Sequence, residues 1–255
     1  NSGPQVESGD VSTSLKSEEI RLTTQLDGPW QVLAGLYYED ALLENDVATS
    51  WIGDIAQNPF GSKELLDVSL IKDYQQKAFF SEVSYQFNDM WQLTLGGRHF
   101  DYDRVDATTY NTTLPISAPA IREDVGQKGQ TYKANLAFTP NEDALIYAQW
   151  SEGFRLGKGQ IVPPSDLCDT DNDGKLDFTD GILTSRVEPD TTTNIELGAK
   201  LSSVDNRLTI NTAIFRTVWD NLPISILTTS STCNNRRIIN NIGSAESQGI
   251  EMDIN

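Results

Sequence analysis

The residues best suited to chemistry form one short acidic run: Asp169, Asp171, Asp173, Lys175, Asp177 and Asp180. Together with Gly174 they spell D-x-D-x-D-G followed by an acid at the end of the repeat, which is the pattern of a calcium loop. Calcium takes about six to eight hard oxygen ligands, and this spacing supplies them from one segment. Carboxylates from Asp169, Asp171 and Asp173 would converge, and Gly174 would allow the sharp turn between them. Lys175 would offer its backbone carbonyl, Asp177 would act directly or through water, and Asp180 would replace the usual glutamate. No helix pair flanks the run, so the pattern predicts a structural ion that orders a self-repelling excursion, not a calcium switch. The plain alternative is a solvated acidic loop.

Four cations form a second candidate set. Arg155, Lys158, Arg236 and Arg237 sit at the bases of long connections, where they could meet an anionic ligand such as a ferric chelate; ordinarily such residues are simply solvated. The single histidine, His99, has no catalytic partner and reads as a wall residue. Cys168 and Cys233 form no CxxC pair and lie far from His99, which argues against zinc. No Ser-His-Asp order, phosphate-cradling loop or dinucleotide fingerprint is present, so no enzyme is expected. Thirty-seven acidic residues against 19 basic ones, a net charge of −18, would repel nucleic acid.

The elements that must position these groups are strands. Trp91, Leu93 and Leu95 alternate with Gln92, Thr94 and Gly96, and the same period of two recurs at 132–138, 195–201 and 208–214. About nine strands are expected, near 17–26, 30–39, 74–87, 91–105, 129–139, 144–154, 191–202, 207–219 and 239–254. Most exceed the usual soluble strand of about five or six residues and match the roughly 9–11 residues of a tilted membrane strand. No run approaches the roughly 18 apolar residues of a membrane helix. Connections alternate short and long. Short turns are Asp27–Pro29, Asn88–Met90, Pro140–Asp143 and Ser203–Asn206, and long connections cover roughly 40–73, 106–128, 155–190 and 220–238. All long excursions therefore leave one end of the sheet, an asymmetry of outer-membrane barrels. Aromatics near strand ends, among them Trp30, Tyr38, Trp91, Phe138 and Trp150, read as interfacial girdles. With both cysteines on neighbouring excursions at one oxidising surface, a Cys168–Cys233 disulfide is possible, against free thiols.

Three segments carry a family resemblance. Val187-Glu188-Pro189-Asp190 with Glu196, Gly198 and Lys200 resembles a "PE…E-x-G-x-K" strand. Arg207–Asn221 resembles the strand that follows it. Asn241, Gly243, Ala245, Gly249 and Glu251 resemble "N-x-G-x-A-x-x-x-G-x-E". Ala34–Tyr38 and Leu93–Tyr102 agree as well. In this order and spacing they resemble the barrel of TonB-dependent receptors. The resemblance implies an all-β, antiparallel, up-and-down transmembrane barrel in the bacterial outer membrane, present as a partial open barrel over residues 1–255. Residues 166–185 would be a calcium-loop insertion in an extracellular loop. It further implies a receptor for a scarce nutrient, such as a ferric siderophore, cobalamin or an oligosaccharide. Its partners would be outer-membrane lipid and the TonB complex, the latter through a plug domain and TonB box that this sequence does not show. Asn1–Asp10 has no start methionine, basic region or apolar core, so a piece of a longer chain is expected. The competing reading is a secreted calcium-binding β-sandwich.

Overall fold

The structure, a computed structural model, describes residues 5–58, 61–113, 120–160, 168, 171, 185–203, 207–227 and 237–255. Its strands are β1 (Gln5–Thr23), β2 (Trp30–Trp51), β3 (Glu64–Gln86), β4 (Trp91–Thr112), β5 (Ile121–Asn141), β6 (Ala144–Arg155), β7 (Lys158–Gly159), β8 (Arg186–Val187), β9 (Asp190–Ser202), β10 (Thr209–Leu227) and β11 (Arg237–Ile254). Nine of them form one antiparallel sheet in the order β1-β2-β3-β4-β5-β6-β9-β10-β11, and β7 pairs with β8 alone. Every sequential neighbour in the large sheet is a spatial neighbour, as an up-and-down wall requires.

The short turns hold by side chains that mimic backbone acceptors. Asn88 Oδ1 accepts from the Met90 and Trp91 amides at 2.9 and 3.1 Å. Asn141 Oδ1 accepts from the Asp143 amide at 3.0 Å, and Ser203 Oγ from those of Arg207 and Leu208 at 3.2 and 3.3 Å. These Asx- and Ser-type turns reverse the chain within a few residues.

Cross-strand register divides the sheet into two faces. One face exposes large apolar side chains, including Leu36, Phe79, Leu95, Leu136, Ile146, Ile195, Leu197, Ile214, Ile250 and Met252. Among the described residues no second sheet packs on it, which removes the β-sandwich. On β4 this face runs Trp91, Leu93, Leu95, Gly97, His99 and then turns acidic at Asp101 and Asp103. The apolar stretch thus occupies only the half of each strand nearest the short turns. Trp30 packs on Tyr85 and Trp91 stacks on Phe138, both at 4.5 Å between centroids, along its lower edge. Tyr38, Tyr132 and Trp150 lie along its upper edge. A lipid-facing belt with two aromatic girdles has this construction.

The opposite face carries Glu19, Arg21, Glu39, Glu82, Arg98, Lys133 and Glu196 among its polar residues. Large rings on this face lie down on glycines directly across the register. Phe80 covers Gly35, Phe100 covers Gly129 and Tyr147 covers Gly198, and a Cβ at each glycine would come within 2.3 to 2.4 Å of a ring atom. The pairs let aromatics line the wall without projecting far from it.

Strand lengths depart from expectation. β2, β3, β4 and β5 contain 22, 23, 22 and 21 residues, against 12 in β6 and 13 in β9. Much of the expected long connections 40–73 and 106–128 is therefore strand. Above the belt polar and charged residues interrupt the apolar series, and those that remain, such as Val68, Leu70 and Ile71, no longer keep a period of two, so the alternation that marks a strand in sequence disappears although the ladder continues.

Candidate functional site

β6 and β9 stop at Arg155 and Asp190, while their neighbours on both sides continue upward. The β7–β8 ribbon stands over this step and is stitched to the wall on two sides. The Gly157 amide donates to the Tyr102 hydroxyl at 3.0 Å and the Gly159 amide to Asp106 Oδ2 at 2.7 Å, both on β4. On the far side Gln160 makes two bonds with the Ile239 backbone, 2.7 and 2.8 Å, while the Glu188 amide donates to Asn241 Oδ1 at 2.8 Å. A Cβ on Gly159 would meet the Glu123 Cβ at 2.7 Å and one on Gly157 the Val187 carbonyl at 2.7 Å, so the ribbon fits closely only with glycine there. Beneath it Phe154 stacks on Phe100 at 3.8 Å, beside buried Tyr102 and Val125. Burial raises the Tyr102 phenol above its ordinary pKa.

Beside the ribbon lies a cavity of about 490 Å³, reached by Tyr74 of β3, Arg104 of β4, Arg155, Lys158, Glu188, Asp190 and Ser225 of β10. Its cations differ in commitment. Arg104 is held by both oxygens of Asp106 at 2.7 Å. Arg155 donates to Asp190, which is 3% exposed, and its guanidinium lies 4.9 Å from the Trp219 ring centroid. The Lys158 ammonium has no ion-pair or hydrogen-bond partner among the described residues. Tyr74 donates to Glu39 Oε1 at 2.5 Å; burial and that bond push its pKa up to about 12, so it is a neutral donor. It lies five residues above Phe79, outside the belt.

The structure thus brings together two of the four cations singled out from sequence, Arg155 and Lys158. Arg237 opens β11 as an exposed residue, and Arg236 lies outside the described residues. Arg104 and Tyr74 were missed as site residues. Their signal is period two: Arg104 continues the inward series Phe100, Tyr102, but its relation to Lys158 exists only once the ribbon folds in. His99 stands on the lipid face opposite Phe79 and Gln130. Of the acidic run, Asp171 is described and exposed, and Asp169, Asp173, Lys175, Asp177 and Asp180 lie outside the described residues, as does Cys233. Cys168 is fully buried against Ile238 and Ile226, and its sulfur is not a free thiol.

Comparison with known proteins agrees with this geometry. Residues 3–255 match the family model "TonB dependent receptor-like, beta-barrel". The chain is 23% identical over 238 residues to the "Probable TonB-dependent siderophore receptor PiuA" of Acinetobacter baumannii, covering 90% of this chain and 28% of that protein. It is 25% identical over 142 residues to the "Probable TonB-dependent receptor BfrD" of Bordetella pertussis, covering 55% and 17%. The ferric yersiniabactin uptake receptor FyuA of Yersinia pestis superposes with a TM-score of 0.71 at 15% identity, over 99% of this chain and 34% of that one. The chain therefore spans roughly a third or less of the proteins it matches. These are outer-membrane proteins, and the chain belongs to the β-barrel domain family of TonB-dependent receptors.

Proposed function

We propose that this wall belongs to a receptor that takes up a ferric siderophore through the outer membrane, with TonB supplying the energy. The observation that supports it is the cavity beside the ribbon, where Lys158, whose ammonium has no ion-pair partner among the described residues, lies next to Arg155 and Arg104. Ferric siderophores commonly carry ionised oxygen donors, so a pocket that presents the Lys158 ammonium above a polar lumen face suits them better than a neutral nutrient. The siderophore-receptor relatives support the same ligand class.

The test is binding to the full-length receptor in detergent, read by quenching of its tryptophan fluorescence. Lys158→Glu should weaken a ferric chelate by about tenfold or more, near 1.4 kcal/mol, with no loss of fold. Equal affinity in the variant would refute the role of the cavity. Uptake that persists in cells lacking TonB would refute the energy source. We further propose a structural calcium ion held by Asp169, Asp171, Asp173, the Lys175 carbonyl, Asp177 and Asp180, supported by the hard-oxygen donor set and its spacing.

A further inference from the structure

Two phenols converge on one carboxylate in the lumen face of the wall. Tyr37 donates to Glu39 Oε2 at 2.5 Å and Tyr74 donates to Glu39 Oε1 at 2.5 Å. The register explains the convergence. Tyr37 faces Ala78 and Tyr74 faces Ala41, so each ring has a small neighbour opposite and can lean toward Glu39 between them. Both alanines are buried. All the donors stand on rigid, paired strands.

Each phenol also has a cation beside it on the next strands. The Arg98 guanidinium sits 5.1 Å from the Tyr37 ring centroid, and its buried Nε has no hydrogen-bond partner. Arg104 is the direct cross-strand partner of Tyr74. Tyr74 also lines the cavity that holds Lys158.

We infer that Tyr37, Glu39 and Tyr74 form a transient site for a hard trivalent cation, ferric iron in biology, at the lower edge of the cavity. Phenolate and carboxylate oxygens are hard donors and favour such an ion over soft metals. On binding, three iron–oxygen bonds to the chelator or its coordinated waters break as iron–oxygen bonds form to both tyrosines and to Glu39, and the two phenol protons pass to the released donor oxygens or to water. Iron stays ferric, so no electron donor is needed. The guanidiniums beside them stabilise the phenolates, and the chelator fills the remaining coordination positions. Iron would then be handed from the cavity to the wall. The inference takes only the choice of metal from the siderophore reading.

The probe is ferric nitrilotriacetate added to the full-length receptor in detergent. A visible phenolate-to-iron charge-transfer band is expected. It should lose about half its intensity in Tyr37→Phe and in Tyr74→Phe and vanish in the double variant. Glu39→Gln, which keeps the size and a hydrogen-bond acceptor, should weaken binding without removing the phenolates. Folding of each variant is checked by heat-dependent gel mobility. If a tyrosine variant does not fold, tyrosinate modes in the resonance Raman spectrum of the Glu39→Gln and parent proteins decide. Absence of the band in the parent protein, or its survival in the double variant, overturns the site. If an intact ferric siderophore still quenches fluorescence while no band appears, this inference fails and the receptor reading stands.

Discussion

Cys168 shows how one residue can be legible in type and illegible in place. Two cysteines in an exported chain suggest a disulfide, but sequence leaves free thiols open. In the fold Cys168 is fully enclosed by Ile238 and Ile226, at the top of β10 and β11, and is not free. We propose Cys233, in the connection between those two strands, as its partner. Intact mass after alkylation without reductant should show no added label; two labels would refute the pairing. Reduction should lower stability by about 2–4 kcal/mol, the typical range for a disulfide. The lumen-side glycines carry the same lesson. Gly35 and Gly198 stand out in the family-like segments, yet their purpose is the ring lying across from each, and that depends on register.

At the scale of elements, strand existence was readable and strand extent was not. The nine wall strands announce themselves where Leu, Ile and Val alternate with polar residues inside the belt. Above it, β3 continues through Asp67–Lys72 and β5 through Arg122–Lys128, where Val68, Leu70, Ile71 and Val125 fall among charged residues without a period of two to mark a strand. The β7–β8 ribbon is two residues per strand and held by side chains such as Asp106 and Gln160, a scale at which no periodicity exists. The site inherits this: Arg155 and Lys158 were findable as cations, while Tyr74 and Arg104 were not. The ribbon also bounds the connection that carries the acidic run, so ordering there should strengthen the ribbon's anchorage on Tyr102 and Ile239. Calcium removal by a chelator is expected to lower the thermal midpoint of the receptor by several degrees, with calcium restoring it and magnesium not doing so. An unchanged midpoint would rule out a structural ion.

For the whole molecule, register reveals how the wall meets the bilayer. One cross-strand row runs Val32, Val83, Leu95, Ala134, Trp150, Ile195, Arg216, Gln248. It begins low in the belt and ends on Arg216, which pairs with Glu246 at 2.8 Å. Rows perpendicular to the strands climb out of the apolar band only if the strands themselves lean, and a lean of about 35–45° is what a closed barrel imposes. Alternating short and long connections made it readable that the long excursions share one end of the sheet; the lean needed the pairings. The belt then fixes where charge is tolerated. Leu95 is the middle of the outward series on β4, so Leu95→Arg should cost about 2–4 kcal/mol in lipid, the midplane penalty. Asp103→Arg, on the same face of the same strand but above the belt, should cost under about 1 kcal/mol. Reversible unfolding of the receptor in phospholipid vesicles measures both. Equal costs would mean that this face does not meet hydrocarbon at Leu95, since depth in the bilayer is the main difference between the two substitutions.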